Sequence, residues 1–127
     1  MKKTANIPLI SELPLEEQDN WHVIVLEDDR VVGTLMLREK DNQTIQIQQV
    51  AIDQSMQGQG LGLRLMTFAE QLAKELGFKK TYLTGRESAW HFYEQLGYLT
   101  NHEVIKGKGV RLKEFEKKLS HKKLATT

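Results

Sequence analysis

No cysteine occurs among the 127 residues. That excludes structural disulfides, thiolate metal sites and a cysteine nucleophile, and it fits a reducing compartment. Proline is nearly absent too: only Pro8 and Pro14 occur, both ahead of the first patterned segment. No apolar run approaches the ~18 residues needed to span a bilayer. Met1-Lys2-Lys3 begins like a secretion signal, but Pro8, Ser11, Glu12 and Pro14 break it up before an apolar stretch can form. The expected location is the cytoplasm. Charge of one sign is also missing, since 18 basic residues face 17 acidic ones for a net of +1. No overall field then favours nucleic acid or an anionic membrane, and neither is expected as a partner. An anion site, if present, must be local.

What the chain does have is ordinary for a globular protein: 39% apolar and 28% charged residues. Its length suits one domain over residues 1–127, with roughly two thirds of the unfolded surface buried on folding. Residues 1–20 are weakly patterned, and Leu15–Asn20 reads as a short helix or a loop. Trp21–Leu26 reads as a strand, Glu27–Arg30 as a turn and Val31–Leu37 as a second strand, giving a hairpin. Asp41-Asn42-Gln43 marks the next turn.

Thr44–Ile52 carries the most informative pattern. Ile45 and Ile47 alternate on one face, Gln48 and Gln49 intervene, and alternation resumes at Val50 and Ile52. The apolar parity changes from odd to even, which would turn every later side chain to the wrong face. Either a β-bulge at Gln48-Gln49 inserts one unpaired residue, or the strand is buried on both faces at its far end.

After a short connection comes Gln57-Gly58-Gln59-Gly60-Leu61-Gly62, within which a helix begins. Leu61, Leu65, Phe68, Leu72 and Leu76 follow at helical spacing, and Gly77 stands where a helix stops. Thr81–Thr84 reads as a strand. Ser88 is placed to cap a helix from Ala89 to about Leu96, ended by Gly97. Tyr98–Ile105 and Val110–Glu116 read as two final strands joined by Lys106–Gly109. Ser120–Thr127 reads as a polar, basic, frayed tail. The order β-β-β-α-β-α-β-β implies an α+β fold: a mixed, mostly antiparallel sheet with a central β-α-β unit and helices packed on it.

A strand, a glycine-rich turn and a helix start together make an anion site. The first helical N–H groups lack intrahelical partners, and glycines let a diphosphate approach the backbone. No Lys-Ser or Lys-Thr follows the glycines, which excludes a triphosphate P-loop. Glycines at 58, 60 and 62 do not match the dinucleotide spacing either. A tight turn with no ligand remains the other reading of the loop alone.

Val50–Gly62, with Gln57, Gly60 and Gly62 in the pattern Q/R-x-x-G-x-G/A, resembles the acetyl-CoA motif of the GNAT superfamily of N-acetyltransferases. Ala89-Trp90-His91-Phe92-Tyr93-Glu94-Gln95-Leu96-Gly97-Tyr98 resembles a second element of that family, at a family-like distance from the first. The resemblance spans roughly Trp21–Leu119. It implies transfer of an acetyl group from acetyl-CoA to a primary amine, with no metal. The backbone of Val50, Ala51 and Ile52 would bond the pantetheine amides, and the amides of Gln57, Gly58, Gln59, Gly60, Leu61 and Gly62 would hold the pyrophosphate. Tyr93 would lie near the thioester sulfur as general acid. As a plain amphipathic-helix residue Tyr93 could instead be core, although Phe92 fits that role better; Trp90 and Tyr98 read as packing residues. The inferred bulge falls where the family splays two parallel strands.

Three departures matter. Gln46, Gln48 and Gln49 stand where some members carry a glutamate, and glutamine cannot take a proton. Either a water chain carries the proton, or another residue does, with His22, His102 and Glu103 as the candidates. Arg86 stands where the family often has a CoA-binding asparagine; it either meets a CoA phosphate or is an exposed turn residue. Finally, about twenty residues precede Trp21, too few for the strand and two helices that build most acceptor pockets in the family. The acceptor site is then an open groove for a peptide or protein amine, or a second copy of the chain closes it around a small amine. A non-catalytic acyl-CoA sensor is the competing function.

Overall fold

The structure is a computed structural model that describes residues 7–12, as backbone, and 20–119. Strands β1 (Ile7–Glu12), β2 (Asn20–Glu27), β3 (Arg30–Glu39) and β4 (Thr44–Ile52) form an antiparallel meander. Helix α1 (Leu61–Glu75) leads to β5 (Lys80–Arg86), and helix α2 (Trp90–Gln95) to the hairpin β6 (Ile105–Gly107) and β7 (Val110–Lys118). One seven-stranded sheet results, in the order β1-β2-β3-β4-β5-β7-β6. Only β4 and β5 are parallel. The mixed, mostly antiparallel sheet with a central β-α-β unit is thus as expected.

Local chemistry explains the turns. Asp28 and Asp29 have φ of 51° and 67°, the double left-handed turn that matches strand twist in two-residue hairpins. Asp41 Oδ1 accepts from the Gln43 amide at 2.8 Å, closing the β3–β4 turn. Gly77, at φ 95°, ends α1. Its N–H donates to the Lys74 carbonyl and that of Phe78 to the Ala73 carbonyl, so the last orphan carbonyls are satisfied. Gly97 ends α2 in the same way, through Glu94 and Tyr93.

Three expectations are corrected, and a fourth lies mostly outside the described residues. Residues 7–12, read as part of a weakly patterned segment, form edge strand β1 against β2; an edge tolerates Pro8, which has no N–H to give. The Leu15–Asn20 element falls mostly outside the described residues, and its last residue, Asn20, opens β2. Ser88 caps nothing. It sits inside a 3-10 turn at Glu87–Ala89, and α2 begins at Trp90 with no side-chain cap. Tyr98–Ile105 is not one strand: Leu99 makes a single bridge to Glu116, and pairing resumes only at Ile105. Asn101 and Thr100 side chains bond the amides of Glu103 and His102, offering that stretch an alternative to the ladder.

Both helices lie on one face of the sheet. On β5 the alternate residues Thr81, Leu83 and Gly85 are buried towards them. Thr81 Oγ1 donates to the Tyr98 hydroxyl, which donates to Glu70 of α1 at 2.9 Å, and Gly85 faces Tyr93 of α2. Lys117 of β7 adds bonds to Glu70 at 3.0 Å and to the Leu96 carbonyl at 2.7 Å. Burial, and then Glu70, pushes the Tyr98 hydroxyl well above its usual range. The core beneath includes Leu35, Leu37, Ile45, Leu65, Met66, Leu83 and Phe115, all essentially inaccessible to water. No helix packs on the opposite face among the described residues, where Tyr82, Thr84 and Arg86 point with Glu114 and Leu112.

Candidate active site

The site begins with the parity change in β4. Met36 pairs with Gln48 and Thr34 with Ala51, so Leu35 alone opposes Gln49 and Val50. That is a bulge, and Gln49 takes the left-handed φ of 54° that such an extra residue needs. Of the two readings of the sequence pattern the bulge holds. Ile45 and Ile47 are buried before it, while Val50 and Ile52 are half-buried after it.

The bulge bends β4 away from β5. Their pairing covers only Thr44–Gln46 against Lys80–Tyr82 and then stops. Beyond it the strands diverge around a cavity of roughly 640 Å³, well within the ~300–1,000 Å³ of small-molecule sites. Its walls are Gln46, Ile47, Gln48, Gln49 and Val50 on β4, Thr84, Gly85 and Arg86 on β5, and Ser88, Ala89, Tyr93 and Leu112. A second cavity opens at the start of α1, lined by Val50, Ala51, Ile52, Met56, Gln57, Gly58, Gly60, Leu61, Gly62 and Leu63, with Phe92 and Tyr93 across from them. Val50, Arg86, Ser88, Ala89 and Tyr93 border both, so the two form one passage through the sheet.

The loop has the features of an anion cradle. Gly58 and Gly60 have φ of 82° and 78°, and nothing lies within 4 Å of a Cβ built on either. Gly60 is the N-cap of α1, with no side-chain cap and no acidic residue in the first turn. The helix's leading N–H groups therefore reach the cavity unclaimed, reinforced by the helix dipole. Asp53 stays outside this cradle: its side chain bonds Ser55, which with the nearby Arg30 keeps the carboxyl below the usual range. Gln57 donates from its side chain to the Ile52 carbonyl at 3.3 Å and so ties the loop to the end of β4.

Every residue expected from the resemblance borders this passage except Gln59, which is exposed beside it. The roles of Phe92 and Tyr93 on α2 are exchanged relative to expectation. Tyr93 is the deeply buried one, packed on Phe92, Tyr98 and Phe115 at centroid distances of 5.4, 6.0 and 5.6 Å. Phe92 lines the loop cavity over Gly62. Tyr93 nonetheless borders both cavities, and its hydroxyl has no hydrogen bond among the described residues. Burial raises its pKa, so it keeps its proton. Trp90 donates to the Gly85 carbonyl at 2.6 Å and fixes the start of α2 on β5, a packing role as expected.

None of His22, His102 and Glu103 lines the passage. Residues the sequence did not single out also matter: Thr84, Leu112 and, most of all, Gly85. A Cβ at Gly85 would sit 2.9 Å from the Tyr93 ring, so this glycine makes room for that ring. The strand read from the sequence stops at Thr84, one residue short of Gly85, and only the full span of β5 puts this glycine inside a strand. Among the described residues no cluster of three or more histidines or acids could hold a metal, and no helix is long and apolar enough to cross a membrane.

A crystal structure of an N-acetyltransferase candidate from Lactobacillus plantarum superposes with a TM-score of 0.76 at 24% identity, covering 85% of this chain and 75% of that one. An aminoglycoside 6'-N-acetyltransferase complexed with coenzyme A gives 0.75 at 16% identity, covering 86% and 78%. A GNAT family acetyltransferase from Elizabethkingia anophelis with acetyl-CoA bound gives 0.69 at 18%, covering 80% and 77%. At these identities the likeness speaks for the fold. The sequence itself matches the acetyltransferase (GNAT) family over residues 4–98. By that match, extending from β1 through α2, the chain belongs to the GNAT family of acetyltransferases.

Proposed function

We propose that the protein transfers an acetyl group from acetyl-CoA to a primary amine by direct attack within a ternary complex. The observation that carries this reading is the passage itself, an uncapped anion cradle joined to a cleft between splayed parallel strands. The amides of Gln57–Gly62 would hold the pyrophosphate, and the backbone of Val50, Ala51 and Ile52 the pantetheine arm. The Ile52 carbonyl already accepts from Gln57, which leaves Val50 and Ala51 as the main partners. A relative crystallised with acetyl-CoA and another with coenzyme A support the ligand.

The thioester supplies an electrophilic carbonyl and a good leaving group. Attack by the neutral amine puts negative charge on the carbonyl oxygen, which a bulge N–H near Val50 can stabilise. Tyr93 then gives a hydrogen bond or its proton to the departing sulfur, and the proton shed by the attacking nitrogen passes to water or restores the Tyr93 hydroxyl. Much of the rate gain would come from holding both reactants together. Tyr93→Phe is expected to lower kcat roughly tenfold with acetyl-CoA affinity within twofold of the parent, a split read by steady-state kinetics and calorimetry. Unchanged kcat would remove the acid role.

With no carboxylate or imidazole lining the cleft among the described residues, the amine must arrive neutral. The logarithm of kcat/KM should therefore rise with unit slope up to the acceptor's own pKa, and that limb should move from one acceptor to the next. Burial lifts Tyr93 above its ordinary value, so its acid form persists across this range and does not set the limb. A fixed limb near pH 6–7, the range of a histidine, for every acceptor would instead reveal an enzyme base. Acetyl-CoA binding measured by calorimetry, followed by thiol release across an amine panel, tests the whole reading. Binding with no turnover on any amine would leave the acyl-CoA sensor in its place.

A further inference from the structure

We infer that the acceptor groove selects amines carrying an oxyanion such as a carboxylate, and that Arg86 holds that group; this rests on the N-acetyltransferase reading above. Arg86 lies where the two cavities meet, so strand parity decides which ligand it serves. On β5, Thr81, Leu83 and Gly85 turn to the helices, while Thr84 and Arg86 share the other face. Arg86 pairs directly with Leu112, which lines only the cleft and not the loop cavity. The glycine loop opens α1, on the helix face. Parity therefore sets Arg86 on the Leu112 face of the sheet, where it borders the cleft as well as the loop cavity.

Its charge is also unclaimed. The cations flanking its β7 partner are committed, Arg111 to Glu87 at 2.7 Å and Lys113 over the Trp90 ring at 4.2 Å. The Arg86 side chain has no ion pair or hydrogen bond among the described residues. The groove holds no carboxylate among the described lining residues. The nearest acid on that face, Glu114, pairs with Thr84 in the ladder and accepts from the Tyr82 hydroxyl at 2.5 Å; it lines a separate cavity. Burial and this Glu114 contact raise Tyr82 to about 12, so the pair stays protonated on the tyrosine side. A polycationic acceptor finds no counter-charge in this groove and meets Arg86. An acceptor with a carboxylate meets a planar fork that matches it with two parallel hydrogen bonds. Gln46, Gln48 and Thr84 supply neutral polar contacts for the rest of the molecule.

The test uses the full chain, acetyl-CoA and matched acceptor pairs: amino acids against their carboxamides, with spermidine as the polycation. Amides have the less basic amine, so intrinsic reactivity at a given pH favours them, and a preference for acids must come from recognition. We expect kcat/KM for the acid to exceed that for its amide at least tenfold, with spermidine poorest. Arg86→Gln should bring the acid-to-amide ratio close to one, and Arg86→Lys should restore part of it, with acetyl-CoA affinity by calorimetry within twofold of the parent in both. Amides or spermidine turning over as well as acids would overturn the inference. So would acetyl-CoA binding without turnover of any acid, or a tenfold loss of acetyl-CoA affinity in Arg86→Gln, which would give the residue to a CoA phosphate. Failure of the parent protein to bind acetyl-CoA would sink the underlying reading instead.

Discussion

Gly60→Asp is expected to abolish acetyl-CoA binding while leaving the protein folded. Gly60 has φ 78° and ψ 8°, a conformation that aspartate and asparagine adopt more readily than other side-chain-bearing residues. Nothing lies within 4 Å of the added Cβ, so no clash arises. The new carboxylate stands at the N-cap of α1, where it can accept from the free leading amides and gain from the dipole. That local gain offsets a left-handed backbone cost of about 1 kcal/mol, and the melting temperature should move by only a few degrees. The same carboxylate claims the donors meant for the pyrophosphate and repels it. Calorimetry should show Kd for acetyl-CoA raised at least a hundredfold, about 2.7 kcal/mol. Gly60→Asn keeps the shape and the cap but not the charge, so a loss nearer tenfold is expected. Binding by the aspartate variant within threefold of the parent would refute the cradle.

Gly85→Ala is expected to cost both stability and turnover. The added methyl would stand 2.9 and 3.0 Å from two atoms of the Tyr93 ring and 3.3 Å from Phe115. Tyr93 cannot retreat easily, because Phe92, Tyr98 and Phe115 surround it. Overpacking of this kind costs about 1–3 kcal/mol, which thermal unfolding would register as a drop of several degrees. The displaced ring carries the Tyr93 hydroxyl away from the passage, so kcat should fall at least as far as in Tyr93→Phe. Trimming the ring in the double variant Gly85→Ala, Tyr93→Leu should recover part of the melting temperature and none of the activity. If Gly85→Ala matched the parent in both stability and kcat, the wedge between β5 and α2 would not be what positions Tyr93.

Much of this fold was legible along the chain because the relevant physics is local. The aspartate pair at 28 and 29, the helix-ending glycines at 77 and 97, and the periodicity of α1 each encode their geometry within a few residues. Even the bulge showed, since one inserted residue reverses the parity of every apolar position after it. The glycine loop likewise showed its left-handed, uncapped turn into α1 through backbone chemistry alone. The misses have one cause. β1 exists because β2 offers it a ladder, and Ser88 loses its cap because Trp90 is fastened to the Gly85 carbonyl. Phe92 and Tyr93 differ by one position on a six-residue helix, too short for periodicity to say which ring faces the core.

By itself, then, the sequence determined the order of the central elements, the parity break in β4 and the uncapped glycine turn before α1, all properties of neighbouring residues. Only the tertiary structure decided that the break parts β4 from β5, that Gly85 makes room for Tyr93, and that Arg86 stands where the two cavities meet. Those facts depend on which strands lie side by side and which face the helices cover, and residues far apart in the chain settle both.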